Sequence, residues 1–539
     1  MHAKRFVTGL VLWLGLVAAG NAVRAAERPN ILWITCEDMS PDLGCYGAPG
    51  AWTPRIDRLA TEGTRYTRVF TVAGVCAPSR SGIITGMYPS SIGTMHMRSQ
   101  GVPPSFVKCF PEYLRAAGYY CTNNVKTDYN FESPLSAWDE NSGRAHYRHR
   151  AKGQPFFAVF NFTTTHESQI RASEAEFAKN VARLPEERRH SPDLAVLPPY
   201  YPDTKVVRND WARYQDLISA MDLQVGDLLD ELEREGLADS TIVFFYSDHG
   251  RGLPRAKRWT YDSGIHIPLV VRTPERWRKE PAGSVNGRLI SSLDFSATVL
   301  SLAGIEPPRH FQGAAFLGAF ERPEPEYIFA ARDRMDETYD IIRAVRDRRY
   351  KYIRNFQPEK PYAQYIDYMD KMPTLIEWRR LNKEGLLTGP QTLFFQPTKP
   401  VEELYDTEAD PHEVVNLAAD ADHAATLVRF RERLERWQKE TGDLGLIPEE
   451  ELKERMRPGG TWQVTAVPEV ATRVDGERTE ITATCSTEGA SLVYTTETGP
   501  RPRWKLWTGP ITMSGNRTVR VKANRLGYRD SAEAVVELK

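Results

Sequence analysis

Three continuous runs of apolar and β-branched residues constrain the fold of this chain more than any other feature. They occupy residues 30–35, 156–162 and 241–246, and each has the composition of a strand that is buried on both faces. Between the second and third runs, apolar residues recur every three or four positions within 209–236, which predicts a long amphipathic helix. Strands that alternate with helices predict an α/β sandwich with a mostly parallel sheet.

A polar cluster follows each of these predicted strands. The clusters are Cys-Glu-Asp at 36–38, Thr-Thr-Thr-His at 163–166 and Ser-Asp-His at 247–249. Open α/β sheets bind their ligands at the carboxyl ends of the strands. Asp and His also favour ordinary turns after strands, so a single cluster carries little information. Three clusters together predict an active site at this edge of the sheet.

Length and charge exclude several classes of protein. The 539 residues correspond to roughly three or four domains of ~150 residues each. Lys and Arg number 70 against 71 Asp and Glu, which gives a net charge of -1. Because no basic block stands out, we expect no nucleic-acid partner. Six cysteines in so long a chain do not make a disulfide scaffold.

The first residues predict export. Lys4 and Arg5 precede an apolar run over 6–19, and small residues lead up to Ala25. This pattern is typical of a signal peptide, here residues 1–25, and predicts a secreted or periplasmic protein. A membrane anchor is the alternative, but the apolar run is shorter than the ~20 residues that a spanning helix needs. We therefore expect no membrane span.

The remaining chain changes its pattern several times. We predict a catalytic domain at 27–340, a smaller α+β subdomain at 341–445, a linker at 446–462 and an all-β domain at 463–539. A Pro- and Tyr-rich stretch at 357–400 predicts an insertion or a long loop. The last domain shows the period of two that is typical of short strands. It resembles the immunoglobulin-like C-terminal modules, including the chitobiase type, of secreted carbohydrate-active enzymes.

The segment Cys76-Ala77-Pro78-Ser79-Arg80 is the most specific motif in the chain. A buried structural cysteine beside a turn proline is the alternative explanation. The motif resembles the signature of the formylglycine-dependent sulfatases of the alkaline phosphatase superfamily, and the chain resembles heparan N-sulfatase (N-sulfoglucosamine sulfohydrolase) relatives in particular. That resemblance implies an alkaline-phosphatase-like sandwich with a mixed, mostly parallel central sheet, followed by the α+β subdomain and the appended immunoglobulin-like domain.

The resemblance also implies a modified nucleophile. Cys76 would be oxidised to formylglycine by a formylglycine-generating enzyme, and the aldehyde hydrate would attack the sulfur with one hydroxyl. The other hydroxyl would then expel sulfate as the aldehyde re-forms. An unmodified Cys or Ser has no such second hydroxyl, so neither completes the cycle.

One Ca²⁺ per chain is implied in the same way. Its ligands would be Glu37, Asp38, Asp248, His249 and the oxygen at position 76. Ca²⁺ prefers several carboxylate oxygens, which this set provides. Glu37 replaces the family's usual Asp and His249 replaces an Asn. Carboxylates clustered this closely repel one another unless a cation neutralises them.

The expected catalytic side chains are Arg80, Lys126, Lys257 and His166. The three cations correspond to family residues that neutralise the sulfate oxygens in the transition state. His166 corresponds to the acid on the leaving-group side. Asp128 stands where the family has a His, two residues after Lys126, and we expect it to contact the substrate.

The substrate is predicted from weaker signals. His96 and Arg98 follow the nucleophile segment closely and are expected to contact a sugar or its carboxylate, although a packed His96 at a helix end is an equal alternative. Export and the C-terminal domain favour a sulfated carbohydrate, and the resemblance favours N-sulfoglucosamine in a glycosaminoglycan.

Two other functions compete with this one. A phosphodiesterase or phosphonate hydrolase of the same superfamily is one alternative. It needs similar cations in its site, because sulfate and phosphate are both tetrahedral groups with negatively charged oxygens. A non-enzymatic glycan-binding protein on a sulfatase scaffold is expected to lack Cys76, Arg80 or the carboxylates. All of these residues are present in the chain.

Overall fold

The computed structural model describes residues 28–538, so the predicted signal peptide at residues 1–25 lies outside the described range. Within that range an eight-stranded sheet forms the centre of the N-terminal part. Its strands, in spatial order, are β4 (Glu140–Asn141), β3 (Tyr120–Asn124), β5 (Phe156–Phe162), β1 (Asn30–Cys36), β6 (Thr241–Ser247), β7 (Leu269–Arg272), β2 (Thr64–Phe70) and β8 (Ser284–Ser291). All neighbours pair in parallel except β7, which is antiparallel to β6 and β2. The predicted mixed, mostly parallel sheet is confirmed.

Helices cover both faces of this sheet. The α-helices of residues 28–538 are α1 (Pro54–Glu62), α2 (Cys76–Thr85), α3 (Pro89–Ile92), α4 (Pro111–Ala116), α5 (Glu167–Ile170), α6 (Glu174–Asn180), α7 (Lys205–Arg234), α8 (Asp262–Ile265), α9 (Asp294–Leu302), α10 (Pro373–Lys383), α11 (Ala424–Thr441) and α12 (Glu449–Met456). Successive residues of β1 point to opposite faces of the sheet. Ile31 and Trp33 therefore pack with residues of α2 and α9, whereas Leu32 and Ile34 pack with residues of α7.

Helix ends differ from the sequence prediction by a few residues, for local reasons. The long helix α7 begins at Lys205 rather than 209, because the Thr204 side chain accepts a hydrogen bond from Val207 N at 3.4 Å and caps the helix. Helix α2 begins at Cys76, so the segment Cys76–Arg80 forms the first turn of this helix.

A second, antiparallel sheet follows the first. Its strands, in order, are β12 (Glu402–Asp406), β11 (Tyr350–Asn355), β10 (Ile342–Arg346) and β9 (Ile328–Arg332). Phe430, Leu434 and Trp437 of α11 pack with apolar residues of this sheet. Arg343 on β10 is fully buried and donates hydrogen bonds to the buried carboxylates of Asp333 and Asp443.

Two segments predicted as irregular contain helices. The stretch 357–400 includes α10, whose Leu375 and Trp378 are buried in the same core as α7. The predicted linker 446–462 includes α12, whose eight residues contain three Glu in the first turn and only two apolar side chains, too few for a helical period. The domain boundaries at 340, 445 and 462 stay predictions.

The C-terminal β module, defined as residues 463–538, consists of two antiparallel sheets. One contains β13 (Glu469–Asp475), β14 (Arg478–Thr484) and β17 (Ile511–Ser514); the other contains β16 (Lys505–Leu506), β15 (Ser491–Thr495), β18 (Arg517–Asn524) and β19 (Ala534–Leu538). Ile481, Val519 and Val521 form its small buried core, which explains the period of two in the sequence. No helix among residues 28–538 combines the length and apolar character of a membrane span.

Glycines bring this module into direct backbone contact with the N-terminal part. Gly489 and Gly527 have φ values of +72° and +78°. A Cβ atom on Gly489 would lie 2.0 Å from Ser105 O, and one on Gly527 would lie 2.6 Å from Val102 Cα. Both the backbone conformation and the close approach therefore require glycine.

Candidate active site

The carboxyl ends of β5, β1 and β6 meet at one edge of the central sheet. In the strand register, Cys36 lies beside Phe162 of β5 and Ser247 of β6. The three polar clusters that follow these strands are therefore neighbours in space. The convergence expected from the sequence is present in the structure.

Asp38 occupies the centre of this edge. It is fully buried and has a left-handed backbone conformation, with φ at 53°. Its N–H donates to Asp248 Oδ1 at 3.3 Å, and its own Oδ2 accepts from Glu167 N and Lys257 Nζ, both at 2.7 Å. These contacts join the ends of all three strands through one carboxylate.

Cys76 faces this edge from the start of α2. Every residue of that helix is buried. Because Cys76 is the first helical residue, its side chain lies at the positive end of the helix dipole. Ser79 Oγ contacts Thr71 Oγ1 at 2.7 Å and Asp248 O at 2.6 Å, which fixes the first turn of α2 against the end of β6.

Arg80, one turn further along α2, contacts three polar groups. Its Nε donates to Asp248 Oδ2 at 3.0 Å, and its two terminal nitrogens donate to Asn161 Oδ1 at 2.7 Å and Glu37 Oε1 at 3.3 Å. Arg80 has five N–H groups, so two remain for a ligand. The guanidinium therefore positions two carboxylates and retains capacity to bind an anion.

Lys126 contacts the same oxygen of Glu37 as Arg80 does. Its ammonium forms a close ion pair with Glu37 Oε1, and the Asp128 carboxylate lies 3.7 Å away. Asp128 has a φ of 56°, and its side chain is partly exposed. This arrangement places Asp128 in the wall of the site, beside the ammonium group rather than beside Cys76.

Lys257 is surrounded by three acceptors. Its Nζ lies 2.7 Å from Asp38 Oδ2, 2.9 Å from Glu167 Oε1 and 3.4 Å from His166 Nε2. The two carboxylates accept two of its N–H groups, and His166 Nε2 accepts the third only when that nitrogen carries no proton. Glu167 also accepts two hydrogen bonds from Arg258, at 2.7 and 3.0 Å. Lys257 is therefore held rigidly by carboxylates instead of facing an open pocket.

The charges around Cys76 alter its acidity. Burial opposes ionisation of the thiol, but Lys257, Lys126 and His249 outweigh burial and lower the pKa of Cys76 to about 7. By contrast, burial raises the pKa values of Cys36 and Cys109. The site thus stabilises negative charge at position 76.

The donor atoms beside Cys76 fit a cation. Asp38 Oδ1, Cys76 Sγ and His249 Nε2 lie within 4.8 Å of one another. His249 Nδ1 is 3.0 Å from Gly250 O, which only accepts, so Nδ1 carries a proton and the lone pair of a neutral ring is on Nε2. Asp38 Oδ1 lies 3.0 Å from that lone pair and accepts no hydrogen bond from any residue in 28–538. A positive charge is therefore required between them.

The pKa of His249 leads to the same conclusion. Burial lowers it, but Asp248, Asp38 and Cys76 together raise the pKa of His249 well above its usual value. Either a proton on His249 Nε2 or a metal ion beside it would supply the positive charge that these groups require. Glu37 and Asp248 lie in the same cluster but contact the Arg80 and Lys126 side chains.

His96 and Arg98 lie apart from the residues around Cys76. His96 is 2% exposed, and its Nδ1 accepts from Arg334 N at 3.2 Å. Arg98 is largely exposed and lies 3.5 Å from Asp336. The structure therefore brings together the predicted catalytic and metal-binding residues but places these two predicted substrate contacts at a separate surface.

Three residues of the site were not predicted. Asn161 contacts Arg80, while Glu167 and Arg258 form a buried pair that is 91 residues apart in sequence. Asn161 ends a buried strand, and Glu167 directly follows His166, so position alone was an available signal. Arg258 has a φ of 78°, and no local pattern in the sequence reveals its direction.

The fold and this site define an α/β protein of alkaline-phosphatase-like architecture, with Cys76 buried at the carboxyl edge of the central sheet. The family model "Sulfatase" matches residues 29–305, just over half of the chain, and the model "N-sulphoglucosamine sulphohydrolase, C-terminal" matches residues 255–377. The chain belongs to the sulfatase family and is a sulfuric ester hydrolase.

Similar proteins include characterised sulfatases. An ulvan-active sulfatase of Formosa agariphila is 42% identical over 94% of this chain and 91% of its own length. The human N-sulphoglucosamine sulphohydrolase is 28% identical over 83% of this chain and 96% of its own. A solved structure in complex with its substrate D-glucosamine-2-N,6-O-disulfate has a TM-score of 0.57 at 20% identity, covering 78% of this chain and 99% of that chain. The last similarity shows the fold.

Proposed function

We propose that this sulfatase removes sulfate groups from a sulfated polysaccharide. The ulvan-active relative supports this, because its similarity covers 94% of the chain and so extends into the C-terminal β module. The match to the N-sulphoglucosamine sulphohydrolase model and the human relative support N-sulfoglucosamine as the group that is cleaved. Sulfated ulvan oligosaccharides and N-sulfated glucosamine disaccharides are therefore the two substrates to compare.

We further propose that Cys76 is converted to formylglycine and that the site binds one Ca²⁺. The supporting observation is the burial of Cys76 and Arg80 against three carboxylates, on Glu37, Asp38 and Asp248. The formylglycine hydrate supplies the nucleophilic hydroxyl, and the cation supplies positive charge beside it. Ca²⁺ suits this set because it prefers carboxylate oxygens, with His249 and the oxygen of residue 76 completing the shell.

The protein's own cations have different tasks in this proposal. Arg80 retains two N–H groups, and Lys126 contacts only carboxylates at the edge of the site, so these two bind the sulfate oxygens. Lys257 instead donates to the carboxylates of Asp38 and Glu167 and so holds Asp38 in place. Cations already fixed by carboxylates stabilise developing charge without reorganising.

His166 acts as the acid that protonates the leaving oxygen. Ser168 Oγ lies 2.8 Å from His166 Nδ1 and accepts the hydrogen bond of its N–H group, so the proton that the imidazolium can release is on Nε2, which faces the site beside Lys257. Burial and Lys257 oppose protonation, but Asp38 and Cys76 outweigh them and raise the pKa of His166 above its usual value. The direction of this shift favours the protonated ring that a general acid requires.

Maturation and export follow from the same proposal. Cys76 is only 2% exposed in the folded chain, so a formylglycine-generating enzyme has to reach it before α2 packs against the sheet. We propose that this happens during export, with the signal peptide at residues 1–25 directing the chain to the periplasm or the exterior.

Two measurements test the proposal together. The chain is produced with and without a formylglycine-generating enzyme, and the peptide that contains residue 76 is examined by mass spectrometry. Sulfate release from nitrophenyl sulfate, ulvan oligosaccharides and N-sulfated disaccharides should appear only with the modified peptide. Cys76→Ala should abolish it, whereas Cys485→Ala in the C-terminal β module should not. Full activity of purified Cys76→Ala would refute the mechanism, and faster cleavage of phosphate than sulfate esters would favour the phosphohydrolase alternative.

A further inference from the structure

A cavity lies between the loop 93–101 and helix α12, at the surface that carries His96 and Arg98. It has a volume of about 520 Å³, within the ~300–1,000 Å³ range of small-molecule sites. The loop supplies His96, Arg98 and Gln100 to its wall, and the other side is formed by Lys453 of α12 and Arg457 just beyond it. The predicted substrate contacts His96 and Arg98 therefore share a cavity that does not include Cys76.

His96 offers an unused hydrogen-bond donor in the wall of this cavity. Its Nδ1 accepts from the backbone N–H of Arg334, so the neutral ring carries its proton on Nε2. Burial lowers the pKa of His96, which keeps the ring neutral. The side chain is 2% exposed, and Nε2 has no partner among residues 28–538. A buried donor without a partner is costly, and a ligand oxygen would satisfy it.

Four cations line the cavity, Arg98, Arg334, Lys453 and Arg457, against three carboxylates, Glu449, Glu450 and Glu454, so the positive charge is only partly neutralised. Arg334 is fully paired, because it forms a double ion pair with Glu449 at 2.6 and 2.9 Å. Arg457 instead donates to the backbone carbonyls of Gln100 and Gly527, and no ion pair with a carboxylate is formed by it within 28–538. Arg98 lies 3.5 Å from Asp336, with most of its side chain in solvent. These two guanidinium groups favour an anionic ligand.

Several contacts connect this cavity to the active site. Thr94 Oγ1 is 2.6 Å from Ser81 Oγ on α2, so the loop is anchored to the nucleophile helix. Asn130 Nδ2 donates to the carbonyls of Thr94 and His96, which anchors the loop to the segment that follows Asp128. The loop that lines the cavity is therefore hydrogen-bonded both to the helix that begins at Cys76 and to the segment that follows Lys126 and Asp128.

We propose that this cavity binds an anionic sugar unit of the polysaccharide, next to the unit that loses its sulfate. This inference rests on the proposed function, because it assumes a polymeric sulfated substrate. The anionic group is a uronate carboxylate or the sulfate of a neighbouring sugar, and both are recognised by guanidinium groups and N–H donors. The cavity thus acts as a specificity subsite that selects polymers over small sulfate esters.

The C-terminal β module completes this subsite. Arg457 is positioned by Gly527 of the module and stacks on Trp462, with its guanidinium carbon 4.0 Å from the ring centre. Helix α12 packs on the loop at Gly93, where a Cβ atom would lie 2.3 Å from Met456 Cε. The module therefore holds one wall of the cavity in place, which gives it a role in substrate selection.

The test compares two substrates for each variant. The ratio of kcat/KM for a sulfated oligosaccharide to kcat/KM for nitrophenyl sulfate is measured for the full-length enzyme. In Arg98→Gln with Lys453→Gln the ratio should fall about tenfold or more, mainly through KM, because charged contacts to the neighbouring sugar are lost. Both side chains are more than half exposed, so the fold should be preserved. Lys439→Gln, an exposed lysine on α11, is the matched control and should leave the ratio unchanged.

Two further arms identify the ligand group and separate the hypotheses. A loss of affinity for carboxyl-reduced oligosaccharides would identify a uronate as the bound group. A loss of affinity for oligosaccharides that lack only the second sulfate would identify that sulfate instead. Calorimetry on Cys76→Ala measures oligosaccharide affinity without turnover, and His96→Gln in that background should weaken it. An active enzyme whose ratio and affinity are unaffected by the cavity variants would refute the subsite. A correctly modified wild type that releases no sulfate from any ester would instead refute the proposed function.

Discussion

Glu167→Gln is expected to destabilise the enzyme and slow catalysis, although Glu167 was not among the residues predicted from the sequence. The side chain is 3% exposed and contacts Lys257 at 2.9 Å and Arg258 at 2.7 and 3.0 Å. Gln keeps the size of the side chain but removes its charge. Two buried cations then lose the carboxylate between them, and Lys257 retains only Asp38 as a carboxylate partner.

The expected loss in the free energy of unfolding follows from the lowered pKa of Glu167. Burial opposes ionisation, but Arg258 and Lys257 outweigh it and lower the pKa of Glu167 from 4.5 to about 2. At about 1.4 kcal/mol for each tenfold change in proton affinity, this corresponds to about 3 kcal/mol. Breaking a buried ion pair by removing one partner costs about 3–5 kcal/mol in other proteins, which agrees. We therefore expect the free energy of unfolding to fall by about 3 kcal/mol at pH 7.

The sign of the pH dependence is fixed by the direction of the shift. A carboxyl whose pKa is lowered on folding stabilises the protein above its unfolded pKa, and this stabilisation is lost as pH falls through the folded value. The difference between wild type and Glu167→Gln should therefore be constant above about pH 5.5 and shrink as pH falls from 4.5 towards 2.

Urea unfolding followed by tryptophan fluorescence at several pH values measures this difference. Glu174→Gln is the matched control, because Glu174 pairs with Arg213 at 2.8 Å but its side chain is 90% exposed. Such surface pairs contribute about 0–1 kcal/mol. As a positioning residue for Lys257, Glu167 should affect kcat more than KM when it is replaced. A loss no larger than that of the control, or one that does not shrink in acid, would refute the role assigned to Glu167.

Four further outcomes are expected. In protein produced without modification, alkylation of Cys76 by iodoacetamide should show a midpoint near pH 7, as read from the labelled peptide by mass spectrometry. Asp248→Asn should lower both the calcium content measured by atomic emission and the rate of sulfate release. The alkaline limb of the kcat profile should reflect the raised pKa of His166 and should be absent in His166→Gln. Arg343→Met leaves two buried carboxylates unpaired, so its unfolding free energy should fall by at least about 3–5 kcal/mol in urea titration.

The parts of the fold that the sequence predicted well are those whose side chains are buried on every face. The strands β1, β5 and β6 appear within one residue of their predicted ends, because continuous apolar runs leave little choice of structure. Strand β2 was missed, since its sequence TRYTRVF is neither a continuous apolar run nor a strict alternation of polar and apolar residues. Helix α12 was missed because the apolar surface that stabilises it comes from Gly93 and the loop beside it.

The residues of the candidate site also fall into a predicted group and a group that was not predicted. Residues that follow buried strands, such as Asp38 and Asp248, were predicted from position, because parallel strands end at a common edge. The partners of Lys257 were not predicted, since they depend on how Arg258 leaves a left-handed backbone conformation. The cavity beside His96 could not be predicted from the sequence either. Arg457 and Gln100, which both line it, are more than 350 residues apart in the chain and come together only in the folded protein.

The backbone contacts at Gly489 and Gly527 fix the C-terminal β module in one position on the N-terminal part. A module joined by a flexible tether explores many distances from its catalytic partner, whereas one seated backbone against backbone keeps a single distance. If the C-terminal β module binds a polysaccharide, the active site acts on that polysaccharide at one fixed distance from the point where the module binds it. Which sulfate is removed would depend on the repeat length of the polymer as well as on the chemistry of the sugar that enters the site.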